Sequence, residues 1–145
     1  MKKIVIDTNV FISAILGKDG SYARIIIEAV FEGALIPLMG EALFNEYWDV
    51  LTRDSLFENS PLTREEREEL LASYLSCCQW TKIYFNWRPN LKDERDNHII
   101  ELAVAGGARQ IITQNIRDLK SGELNFSDIE IMTPEMFVKE AKWEQ

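Results

Sequence analysis

Apolar positions along the chain fall into two kinds of run. The first is short and continuous: Ile4-Val5-Ile6, Leu35-Ile36-Pro37-Leu38-Met39, the stretch 81–85, Gln110-Ile111-Ile112-Thr113 and Ile129-Glu130-Ile131-Met132. Runs without alternation fit strands covered on both faces of a parallel sheet. Pro37 lacks a backbone N–H, which predicts an edge position or a bulge for its strand. The second kind repeats at helical spacing. Val10, Phe11, Ala14 and Ile15 form one such stripe, and Ile25, Ile26, Ala29 and Val30 another. Further stripes are Leu43, Phe44, Tyr47, Val50 and Leu51, then Leu70, Leu71, Tyr74, Leu75 and Cys78, then Ile99, Ile100 and Ala103. Each marks a helix with one face toward a core.

Polar punctuation agrees with these boundaries. Ser21 predicts a helix N-cap, Thr63 with Glu66 a capping box, and Thr133-Pro134 the start of a final helix. Gly33 and Gly106-Gly107 predict helix ends. Strand and helix alternate, so the fold class is α/β and the strand ending at Thr113 should run parallel to the first.

Composition narrows this further. The 145 residues, 46% of them hydrophobic, suit a single domain over 1–145 with a real core. No stretch is long enough to span a bilayer and no secretory signal is evident, so a cytoplasmic protein is expected. The two cysteines, Cys77 and Cys78, are neighbours and form neither a disulfide framework nor a metal spacing, which leaves them as packing residues. A net charge of −8 opposes non-specific attachment to nucleic acid, because that attachment works by neutralising phosphates. Any nucleic-acid substrate must meet a local basic patch.

Candidate chemistry sits where the strands end. Asp7 follows Ile4-Val5-Ile6 directly, at the edge where open α/β sheets keep their ligand crevice, or else caps the helix that follows. Glu46 borders its helix stripe, three residues after Leu43 and four before Val50, while Asn45 and Asp49 face away; it is either a site acid or a solvated one whose stem lies along apolar neighbours. Asp96 shares a face with Ile99, Ile100 and Ala103, where a carboxylate is costly unless bonded, paired or coordinating. Asp93 reads as the cap of that helix or a group supporting Asp96. His98 points away from that face and reads as a surface polar group. Thr113 at the end of its strand, then Asn115 and Asp118 beyond it, should share the edge with Asp7, unless Asn115 is only a turn residue. Arg88, Lys92 and Arg95 follow Trp87 in a loop that could hold phosphates and stack a base, or be an ordinary exposed loop; Arg117 is a further candidate for RNA contact. The run Glu65-Glu66-Arg67-Glu68-Glu69 reads as a solvated face.

Carboxylates gathered from such distant stretches repel one another unless cations neutralise them. Magnesium or manganese suits an all-oxygen ligand set and can activate water for phosphodiester hydrolysis without histidine or cysteine. The order and spacing of Asp7-Thr8-Asn9-Val10, Asn45-Glu46-Tyr47, Asp96 before Ala103-Val104-Ala105-Gly106-Gly107-Ala108, and Ile112-Thr113-Gln114-Asn115 resemble the PIN-domain family over nearly the whole chain. Within it, the likeness is greatest to VapC-type toxins of bacterial toxin–antitoxin pairs. The resemblance implies a three-layer α/β/α sandwich with a central, mostly parallel sheet, and a Mg²⁺- or Mn²⁺-dependent endoribonuclease. It also implies a cognate antitoxin protein that blocks the site, and a homodimer. Asp7, Glu46 and Asp96 match the family's metal-binding acids, and Thr8 matches the hydroxyl beside the first. The fourth acidic position holds Asn115, which adds no charge, with Asp118 as a substitute ligand. Two other readings fit fewer residues. In a haloacid dehalogenase-type phosphatase Asp7 would be a nucleophile, but Asn9 stands where a second acid is wanted. A non-catalytic PIN-like module would bind protein or RNA.

Overall fold

The computed structural model describes residues 2–17, 20–83, 97–116 and 128–140. Strand β1 (Lys2–Ile6) is followed by α1 (Thr8–Leu16) and α2 (Tyr22–Phe31), then β2 (Leu35–Met39) and α3 (Glu41–Leu51). A 3₁₀ turn (Asp54–Phe57), α4 (Arg64–Cys77) and β3 (Gln79–Trp80) come next. The remaining described elements are α5 (Asn97–Gly106), β4 (Gln110–Ile112), β5 (Glu130–Met132) and α6 (Pro134–Lys139). The five described strands form one sheet in the order β3-β2-β1-β4-β5, with every pair parallel.

That order reverses direction once. From β1 the chain steps outward to β2 and β3, then returns across β1 to β4 and β5. Right-handed crossovers therefore put α1 to α4 on one face and α5 on the other, giving the three-layer sandwich. Packing agrees. Phe11, Phe31, Tyr47 and Tyr74, one from each of α1 to α4, meet in an aromatic cluster with Phe11 and Tyr74 centroids 4.7 Å apart. α5 lies against β1, β2 and β4. A side chain at Gly106 would collide with Leu38, so this glycine lets the end of α5 settle onto the sheet. Gly107 then ends the helix at φ +76° and sends the chain into β4.

The caps form as the sequence implies. Ser21 accepts the Arg24 N–H, Thr133 accepts the Met136 N–H, and the Thr63/Glu66 box closes at 3.1 and 2.8 Å. Three expectations need correction. Pro37 lies in an interior strand; this is tolerated because the two-residue β3 pairs only with Leu38 and Met39, leaving Pro37 without a neighbour there. The strand expected over 81–85 comes earlier, at Gln79–Trp80, and residues 84 and 85 lie outside the described residues. Arg67 is no solvated charge. It is 3% exposed, donating to Leu51 O and Asp54 with its guanidinium over the Phe57 ring. Among the described residues, no helix is long and apolar enough to cross a membrane.

Candidate functional site

The reversal in strand order falls between β1 and β4, and a crevice opens at such a point beyond the carboxyl ends of the strands. Asp7 and Thr113 are the residues immediately after those two strands. The ladder carries on through both, with Asp7 N–H donating to Ile112 O and Thr113 N–H to Met132 O, each at 2.9 Å. Strand pairing thus sets both side chains side by side. Thr113 Oγ1 donates to Asp7 Oδ2 at 2.8 Å.

Asp7 occupies the N-cap position of α1, yet its side chain makes no capping hydrogen bond to that helix. Of the helix's own groups it is the Thr8 backbone N–H that acts on the carboxylate, so a regular N-cap bond does not account for Asp7. Its backbone carbonyl accepts the Val10 N–H at 3.0 Å, while its carboxylate turns to Thr113 and, at 3.4 Å, to Asn9 Nδ2. Asn9 ties the same corner together, lying 3.3 Å from Thr113 Oγ1 and accepting the Gln114 N–H at 3.1 Å. Asn115 stands at this edge with an exposed side chain, its backbone N–H donating to Thr113 Oγ1 at 3.1 Å.

Glu46 arrives from α3, which starts one residue after β2 and is pinned by its neighbour. The Tyr47 hydroxyl donates to Ile6 O at 2.6 Å, and burial pushes its pKa well up, so it stays a neutral donor. With Tyr47 locked to the last residue of β1, Glu46 is carried to the Asp7 end of the sheet. Glu46 borders the buried face of α3 while Asn45 and Asp49 are exposed, the placement its spacing implies. Its Oε2 lies against His98 Nε2, from α5, in a contact that is not aligned as a hydrogen bond.

The electrostatics reflect this crowding. Burial raises the Asp7 pKa; the Thr113 hydroxyl counters it, the Glu46 charge adds to the rise, and the Thr8 backbone N–H and His98 oppose it. Several polar atoms here are buried without hydrogen-bond partners: Thr8 Oγ1, Glu46 Oε2 and His98 Nδ1. Carboxylates of like charge beside an unpaired hydroxyl make a donor set of hard oxygens that a Mg²⁺ or Mn²⁺ ion would fit. Among the described residues, no group of three or more His, Cys, Asp or Glu side chains is close enough to hold a metal by itself. Asp93, Asp96, Arg88, Lys92, Arg95, Arg117 and Asp118 lie outside the described residues.

Sequence reasoning placed Asp7, Glu46, Thr113 and Asn115 at this edge, and it missed His98 and Asn9 as residues that meet the two acids. For His98 a signal was available. It precedes Ile99 and Ile100, both buried, on a helix that also buries Leu102 and Ala103. A helix covered on several sides has little surface on which to leave a polar residue free.

A family model described as PIN domain matches residues 3–117 of the chain. No curated protein matches it.

Proposed function

The chain belongs to the PIN-domain family, a nuclease-type fold, and on that premise we propose that it is a Mg²⁺- or Mn²⁺-dependent endoribonuclease and the toxin of a toxin–antitoxin pair. One observation carries the catalytic part. Asp7 holds a helix-cap position without capping, and sits instead partly buried at the strand-order reversal, within electrostatic reach of Glu46. Partly burying an acid beside a like charge costs stability unless a ligand meets it.

In this reading Asp7, Glu46 and Asp96 hold the ion, with the Thr8 hydroxyl beside them and Asp93 supporting Asp96. Asn115 or Asp118 serves as a further oxygen ligand. Bound there, the ion would lower the pKa of a water molecule and offset charge building on the phosphodiester. The chain's own residues do the positioning. Thr113 and Asn9 fix one oxygen of Asp7, and Tyr47 fixes the helix that carries Glu46. Arg88, Lys92, Arg95 and Arg117 supply local positive charge for RNA in a chain whose net charge is −8. The toxin role, a cognate antitoxin and a homodimer rest on the motif resemblance alone.

The test is cleavage of total RNA with Mg²⁺, Mn²⁺ or chelator, run beside Asp96→Asn prepared identically. The reading expects metal-dependent cutting by the wild-type chain and none by the variant. Equal cutting by both, or cutting that survives chelation, would reject it.

A further inference from the structure

His98 is the only histidine in the chain and the second residue of α5. Its side chain is 18% exposed, against 41% for Glu46, and the two meet where α3 and α5 come together, one from each helical layer. His98 Nε2 is set against Glu46 Oε2 as an ion-pair contact, favourable when the imidazole presents its Nε2–H to the carboxylate. Ile99 and Ile100, both buried, anchor the helix turn that carries the imidazole.

Glu46 needs such a restraint. It is a long side chain with several rotamers, it borders solvent, and it raises the cost of ionising Asp7. Repulsion from Asp7 and side-chain entropy both favour turning its carboxylate outward to water. We propose that His98 is a positioning residue that holds the Glu46 carboxylate on the Asp7 side of the crevice, so that both acids face the same ion. This rests on the reading of Asp7 and Glu46 as metal-binding acids. Groups that orient a ligand from behind it are worth about 10–100-fold in metal affinity. A partly exposed ion pair, in contrast, adds little to folding stability.

The experiment is titration of the full chain with Mn²⁺, reading free ion by electron paramagnetic resonance, for wild type, His98→Ala and His98→Gln. Melting temperatures are taken on the same samples. His98→Ala should bind Mn²⁺ about 10–100-fold more weakly at a nearly unchanged melting temperature. His98→Gln, which keeps an N–H donor near the Nε2 position, should bind close to wild type. Unchanged or tighter binding by His98→Ala overturns the proposal. So does equal weakening in both variants, because a loss that a donor does not restore is a loss of packing. Failure of the wild-type chain to bind Mn²⁺ removes the metal-site reading itself and this inference with it; wild-type binding that His98→Ala leaves untouched removes only the inference.

Discussion

Arg67 and Asp7 are both drawn away from water, and they are treated in opposite ways. Arg67 of α4 is 3% exposed, yet its guanidinium reaches Leu51 O at 3.0 Å, Asp54 Oδ1 at 2.6 Å and Leu62 O at 3.5 Å, above the Phe57 ring. Its charge is met by an opposite charge and by carbonyls at a helix end. At the carboxyl edge of the sheet, Asp7 is met by one hydroxyl and one amide and opposed by the charge of Glu46, while Thr8 Oγ1 is buried without a hydrogen-bond partner and Glu46 Oε2 meets His98 in a contact not aligned as a hydrogen bond. A buried charge whose neighbours satisfy it is scaffold. A partly buried acid that a neighbouring like charge opposes has the character of a functional group, and substitutions at the two places should separate activity from stability.

The largest expected effect is on catalysis. On the proposed reading Asp7→Asn and Glu46→Gln each remove a charge that would face the ion, worth several kcal/mol of transition-state stabilisation, and should cut the rate of RNA cleavage by about a thousandfold or more. Activity within tenfold of wild type, about 1.4 kcal/mol, would erase the distinction between the two regions. Next comes Arg67→Met, which strands Leu51 O and should cost about 2–3 kcal/mol in denaturant unfolding, with cleavage per folded molecule unchanged. A loss of cleavage without a loss of stability would reverse the assignment.

A smaller effect concerns Asp7 itself. Burial holds its pKa above the ordinary 3.8. An acid whose pKa is raised on folding binds its proton more tightly in the native state, so the native state loses stability as pH rises from the ordinary value through the folded one. Asp7→Asn does not ionise. In chelator it should melt higher than wild type at neutral pH, and the gap should close as pH falls below the ordinary value; a gap that persists in acid would mean the gain is unrelated to charge. The smallest effect is at Cys78, whose thiol donates to Tyr74 O at 3.3 Å and whose pKa burial pushes up to about 12. Iodoacetamide at mildly alkaline pH should leave it unmodified in the folded chain and label it on unfolding, as peptide mass mapping would report.

Much of the fold could be read before the structure, because local physics decides it. The unbroken apolar run Ile4-Val5-Ile6 is wholly buried in the sheet, and the caps at Ser21, Thr63 and Thr133 form with the partners their spacing implies. What escaped was decided by long-range packing. Pro37 excludes a ladder partner on one side only, and no local rule reveals that β3 is too short to offer one. Arg67 lies within a run of acids and looks solvated until the 3₁₀ turn folds Asp54 and Phe57 over it. His98 was assigned to solvent from a single helix face, whereas α3 comes to meet α5 on another. Asp7 and Glu46 were legible as carboxylates bound for the same sheet edge; Thr113 and Asn9, which hold Asp7, become partners only through strand pairing.

The claim that acids from separate elements form one divalent-cation pocket is tested most directly by thermal unfolding of the full chain in chelator and in rising Mn²⁺. A ligand that binds only the native state stabilises it by about 2.7 kcal/mol at a hundred times its dissociation constant. The wild-type melting temperature should therefore climb with Mn²⁺ by several degrees, while Asp7→Asn and Glu46→Gln climb far less. A wild-type melting temperature that ignores the ion, or that rises equally in all three proteins, would contradict the account.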